Sequence, residues 1–402
     1  MQLTAQRAQA AGAKAGNRKA FGPCKPRSVV VRAQAAANAD GTSRRSLLGA
    51  SVALSAAAGV LPLALPGAAV ANTVLSADWE QVDLPVDSGV VMLDIGFTGD
   101  DPNHGFLLGT RQTLLETVDG GKTWNPRTIE AARDEGFNYR FNSVSFNGAE
   151  GWIVGKPAIL LHTGDGGKNW ERIPLSNKLP GTPLLVTALG NGGAEMTTDQ
   201  GAIYVTDNTA YTWTAAVQET VDATLNRTVS SGISGASYYE GSFSNVARSA
   251  SGNYVAVSSR GNFYMTWAPG QSYWQPHNRP AARRVQNMGF TKDGEQLWMS
   301  TRGGDVYFSK DAEGVGFETT KLSSRGFGVL DVGFASADVA FACGGSGSLF
   351  KTVDGGKSWK RDKSTDSVAG NLYSVHFFGP RGFILGNDGI LLRYIGNPSG
   401  TA

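Results

Sequence analysis

The sequence predicts an all-β fold, a seven-bladed β-propeller closed by an N-terminal strand in the last blade. Three observations carry that expectation. The phrase Thr117-Val118-Asp119-Gly120-Gly121-Lys122-Thr123-Trp124 returns at 163–170 as TGDGGKNW and at 352–359 as TVDGGKSW. Short apolar runs precede each copy, for example 142–146, 151–155 and 159–162. An aromatic closes each unit at Trp124, Trp170, Trp213, Trp274, Phe317 and Trp359, in steps of 46, 43, 61, 43 and 42 residues. A four-stranded blade of about 40–45 residues has this period.

The phrase has the form of an Asp-box hairpin. The Asp carboxylate can accept backbone N–H groups of the turn, the Gly pair supplies positive φ, and the Trp opens the next strand. Turn capping is a commoner use of such an Asp than cation binding. A phosphate loop would need Gly five residues before the second Gly, where Glu116 and Lys351 stand. A worn copy at 206–213 keeps Thr206, Asn208 and Trp213.

The runs are β-branched or aromatic and punctuated by Gly, which reads as strands. Blades are expected to start near Val90, Phe141, Leu184, Phe243, Val285, Val329 and Leu372. The long step reflects extra residues between Val217 and Phe243. Degenerate turns in the fourth and fifth units leave six or eight blades open. The seventh unit ends at Tyr394 without a closing aromatic, whereas Trp79 stands 45 residues before Trp124 with no unit of its own. The segment around Trp79 is therefore expected to complete the last blade and remove the exposed edges of the ring.

The first 71 residues read as an address. Residues 1–39 contain no acid and are rich in Ala, Arg, Lys, Gln and Ser, as in a chloroplast transit peptide. Residues 40–71 hold the twin Arg44-Arg45, an uncharged stretch and the ending Ala69-Val70-Ala71, a twin-arginine export signal to the thylakoid lumen. A membrane anchor is the alternative for this stretch, but Pro62 and Pro66 interrupt it. Residues 72–402 are then the propeller domain, expected to be soluble. The address holds nine of the 36 basic and one of the 34 acidic side chains, so the remainder carries a net charge of about −6. Nucleic acid is an unsuitable partner for such a chain. Cys343 stands alone after Cys24 leaves, which excludes an internal disulfide or a cysteine metal site.

No catalytic motif emerges. The four His residues are scattered, and His162 and His376 fall within strands as packed or hydrogen-bonded groups. A sialidase-like glycoside hydrolase is the enzymatic alternative, since those propellers also carry Asp-boxes. Arg172-Ile173-Pro174 echoes an element of that family, yet it follows a box Trp on an expected outermost strand. The distinctive feature is charge. Residues 241–292 hold no Asp or Glu but carry Arg248, Arg260, Arg279, Arg283, Arg284 and Lys292, with Arg227 and Arg302 flanking. Tyr238, Tyr239, Tyr264, Trp267, Tyr273 and Trp274 are interleaved. Arg, Tyr and Trp dominate binding hot spots, so a basic face is expected, with a solvated rim as the plain alternative.

Segments 225–239, 260–264, 274–279 and 283–290 resemble the photosystem II stability/assembly factor family, and the likeness runs across essentially the whole chain after the address. That resemblance implies a seven-bladed propeller on the lumenal side of thylakoids. It also implies binding, without catalysis or cofactor, of the newly made D-one protein of the reaction centre and of early assembly intermediates. The family's arginine patch falls on Arg227, Arg260, Arg279, Arg283, Arg284 and Arg302, with Tyr238 and Tyr239 beside it. A monomer peripheral to the membrane is the expected state.

Overall fold

The Asp-box turn shows how three of the blades close their last hairpin. In a computed structural model, Thr117 Oγ1 donates to Asp119 Oδ1 at 2.8 Å and accepts from the Gly121 N–H at 3.0 Å. Asp119 Oδ1 in turn accepts the Lys122 and Thr123 N–H groups at 2.9 and 3.0 Å. Asp165 and Asp354 cap their own turns alike. The backbone N–H of Asn169 holds the Asp165 carboxyl down at about 2, and the Ser358 hydroxyl does the same for Asp354. Gly121 sits at φ +86°, and a Cβ there would lie 2.6 Å from the Phe383 ring. Equivalent Cβ atoms at Gly167 and Gly356 would meet Phe106 and Phe308. The second Gly of each phrase thus clears the space in which the preceding blade's aromatic packs.

The structure describes residues 72–133, 137–217, 242–320, 322 and 328–396. They form seven antiparallel sheets. Blade 1 runs Met92–Phe97, Gly105–Gly109, Leu114–Thr117 and Asn125–Pro126; blades 2 to 6 begin at Arg140, Pro183, Phe243, Val285 and Val329. Blade 7 comprises Leu372–Phe378, Arg381–Gly386 and Leu391–Tyr394, and Trp79–Val82 pairs with its last strand. Trp79 faces Tyr394 and Val82 faces Leu391, so the N-terminal strand closes the ring. A short strand, Thr73–Val74, extends that sheet. The first strands of successive blades contact one another and form the inner wall.

Aromatic clusters glue the blades. Trp79 packs edge-on against Phe341 of blade 6 at 5.1 Å, and Trp170 packs against Phe106 of blade 1 at 5.9 Å. Trp274 donates its indole N–H to Gly201 O of blade 3 at 2.7 Å.

Each inner strand carries a bulge near its start, as between Met92 and Asp94 or between Val329 and Asp331. A bulge re-aims side chains. Here it turns Asp94 onto the Val144 N–H of blade 2 and Asp331 onto the Val375 N–H of blade 7, both at 2.8 Å. Asn287 donates to Leu330 O at 2.9 Å. Burial pushes the Asp331 carboxyl up to about 7 and raises Asp94 as well.

Candidate functional site

A four-stranded antiparallel blade has two kinds of end. Turns joining strands 1–2 and 3–4 lie at one end. Turns joining strands 2–3, with the connections to the next blade, lie at the other. The Asp-boxes join strands 3 and 4. The candidate arginines among the described residues fall at the opposite, connection end. Arg260 lies between Tyr254–Ser258 and Phe263–Trp267 of blade 4, and Arg279 follows Gln275–Asn278. Arg283 and Arg284 occupy the connection into Val285–Phe290 of blade 5, and Arg302 follows Leu297–Thr301.

Backbone bonds draw these loops together. Val285 N–H donates to Gly261 O at 2.8 Å, and Arg302 N–H donates to Arg284 O at 2.9 Å. The Arg283 guanidinium packs over Gly303, where a Cβ would collide with Nη1. Only a glycine admits that approach. Arg279 Nη1 reaches Asn262 Oδ1 at 3.5 Å, and Arg260 is half-buried and engaged. Arg283, Arg284 and Arg302 are exposed. Among the described residues, no carboxylate pairs with Arg279, Arg283, Arg284 or Arg302. Arg227, Tyr238 and Tyr239 lie outside the described residues.

The acid-free window is not a single face, which corrects the expectation drawn from its composition. Arg248 ends the inner strand at the Asp-box end and is half-buried against Glu195, Nε to Oε2 2.6 Å, with the Tyr254 hydroxyl donating to the same oxygen at 2.8 Å. Lys292 and Tyr273 stand in turns at that end too. Tyr264, Trp267 and Trp274 are core residues with 2%, 5% and 5% exposure. Among the described residues, the aromatic component expected of this stretch is therefore interior packing, apart from the exposed Tyr273.

Arg172 lies on the outer strand Glu171–Ile173 and donates to the Tyr139 hydroxyl at 2.9 Å. It does not face the channel, so the sialidase echo has no structural counterpart. No group of three or more His, Cys, Asp or Glu side chains could hold a metal ion among the described residues. No helix there is long and apolar enough to cross a membrane. Sequence reasoning did not find the bulge-held Asp94, Asn287 and Asp331. Their signal is a polar residue recurring at the third position of the inner strand.

The fold and these loops define a seven-bladed Asp-box propeller with an arginine-rich connection end. The chain belongs to the photosystem II assembly factor family: the model described as "Photosynthesis system II assembly factor YCF48" matches residues 71–395. The chain is 61% identical over 359 residues to the Arabidopsis thaliana chloroplastic photosystem II stability/assembly factor HCF136, covering 88% of this chain and 87% of that protein. The Oryza sativa counterpart is 57% identical over 382 residues, covering 88% and 92%. Among solved structures, YCF48 from Cyanidioschyzon merolae superposes with TM-score 0.73 at 49% identity, over 81% of this chain and all of that one. A structure titled "YCF48 bound to D1 peptide" gives 0.69 at 43% identity, over 82% and 100%.

Proposed function

We propose that this chain is a photosystem II assembly and stability factor that grips newly made D1 with its connection-end arginines. The observation that carries the reading is the convergence of Arg260, Arg279, Arg283, Arg284 and Arg302 on bonded loops of blades 4 and 5. The D1 peptide on a relative of the same fold supports the choice of client. The role is binding, without turnover. Charge complementarity speeds encounter and sets orientation, and bidentate guanidinium–carboxylate contacts fix the register. A rigid ring keeps the cost of ordering small. In this proposal residues 1–39 and 40–71 are the two successive targeting signals, and residues 72–402 act as a soluble monomer in the thylakoid lumen on early assembly intermediates.

Capture of D1 precursor by the purified 72–402 protein tests this. Arg283→Glu with Arg284→Glu is expected to weaken capture by roughly 1–3 kcal/mol. Both side chains are exposed, so the melting temperature should stay nearly unchanged. Wild-type capture by that double variant would remove the basic loops from the mechanism.

A further inference from the structure

A cavity of ≈ 270 Å³ opens at the channel mouth beside the arginine loops. Its rim and walls include Ser259, Gly261, Gln286, Arg302, Leu330 and Tyr373, drawn from blades 4 to 7. The Asn245 and Asn287 amides line it as well, but theirs are structural roles. Asn245 donates to Asn287, and Asn287 donates to Leu330 O and to Asp331 at 2.9 and 3.0 Å. These bonds tie the cavity wall to the neighbouring blades and leave the amides little capacity for a ligand.

Arg302, Tyr373, Ser259 and Gln286 can each donate into the cavity. Arg302 is exposed and has no acidic partner among the described residues. The Tyr373 hydroxyl accepts from Asn371 Nδ2 at 3.4 Å, which leaves its own O–H to donate. Ser259 and Gln286 add a hydroxyl and an amide. Among the described residues, no Asp or Glu lines the cavity. An apolar occupant would strand these donors, and a cation would be repelled by Arg302. A carboxylate matches them, because it is acceptor-only and fits the guanidinium fork.

We infer that this cavity is a carboxylate subsite, taking one carboxylate-bearing residue of the client while the surrounding arginines hold the chain that leads to it. The carboxylate belongs either to an acidic side chain or to a free C-terminus, and the two have the same chemistry here. The inference rests on the proposed function, since it supplies the local specificity of the same face. It adds selection by donor geometry to an attraction that is otherwise set by charge alone.

Three dye-labelled hexapeptides with one neutral core test it by fluorescence anisotropy against the 72–402 protein. One ends in a free carboxylate, one in an amide, and one in an amide with a single internal Asp. At least one carboxylate peptide is expected to bind about tenfold or more tighter than the plain amide, the size of one charged hydrogen bond. Which one does so identifies the source. Arg302→Gln, at an exposed position, should abolish the preference, and Ser259→Leu should do so by filling the space. The melting temperature of each variant confirms its fold. Equal binding of the three peptides, no binding up to millimolar concentration, or a preference that survives Arg302→Gln would overturn the subsite. Failure here with D1 capture still lost in Arg283→Glu/Arg284→Glu would leave the basic face standing.

Discussion

The two ends of the ring use the same meander for opposite purposes. At the Asp-box end, polar side chains are spent on their own turns: Asp119, Asp165 and Asp354 each accept several donors from within five residues. Arg248, half-buried at that end, is neutralised by Glu195. At the connection end, backbone bonds join the loops, and the Arg283, Arg284 and Arg302 side chains are exposed. Val285 is tied to Gly261 and Arg302 to Arg284 through main-chain atoms, and the exposed Arg284 and Arg302 side chains have no acidic partner among the described residues. A charge that holds no part of its own fold is available to a partner. Conversely, a motif repeated in blade after blade is the mark of a scaffold.

Substitutions at the Asp-box end should therefore cost stability and leave client capture per folded molecule intact. The largest effect is expected for Gly121→Ala. Positive φ alone costs about 1–2 kcal/mol, and the new Cβ would press on Phe383 between blades 7 and 1. A loss of about 3 kcal/mol or more in denaturant unfolding is expected.

Next comes pH. The folded Asp331 carboxyl titrates at about 7, against about 3.9 in an unfolded chain. Its folded form holds the proton longer, so the stability it contributes is full below pH ~4 and is lost as pH rises through ~7. Asp331→Asn should flatten that slope by a few kcal/mol across the window, whatever it does to the absolute level. An unchanged slope in the variant would show that Asp331 is ionised throughout. Asp165 and Asp354 have the opposite sign, with stability present above pH ~4 and lost as pH falls through ~2. Their exposure keeps that contribution small. Asp165→Ala should cost about 1 kcal/mol in thermal unfolding, the worth of a turn cap.

The smallest effect tests the worn copy in blade 3. There Thr209 and Ala210 stand at φ +55° and +62° where the intact phrases have glycines. Asn208 still caps the turn, accepting the Thr212 N–H at 2.9 Å. Thr209→Gly should stabilise by about 0.5 kcal/mol, strain relief being partly offset by the freer unfolded chain. Destabilisation would show that the Thr209 side chain does more than tolerate the turn.

The same contrast explains what is legible in the sequence. Blade starts are at most two residues from their expected places, because the strand runs and the closing aromatics are local signals. The closing strand at Trp79 is legible because a blade lacks its last aromatic. The structure brings Arg260, Arg279, Arg283, Arg284 and Arg302 to one end of the ring, sends Arg248 and Lys292 to the other, and buries the tryptophans. A blade sends consecutive turns to opposite ends, so nearness in sequence does not mean a shared face. Sorting each residue by the strands it joins recovers the division. Asp94, Asn287 and Asp331 escape notice because their partners belong to the next blade and their orientation depends on a bulge that composition does not reveal.

The central claim is that the client is held at the connection end. A photo-crosslinking residue placed at position 284 or 302, and separately at position 122 or 168 on Asp-box turns, would report contact with newly made D1 in thylakoids. Crosslinks from 284 and 302, with none from 122 and 168, are the expected result. Crosslinks from the Asp-box positions with none from 284 and 302 would contradict the account.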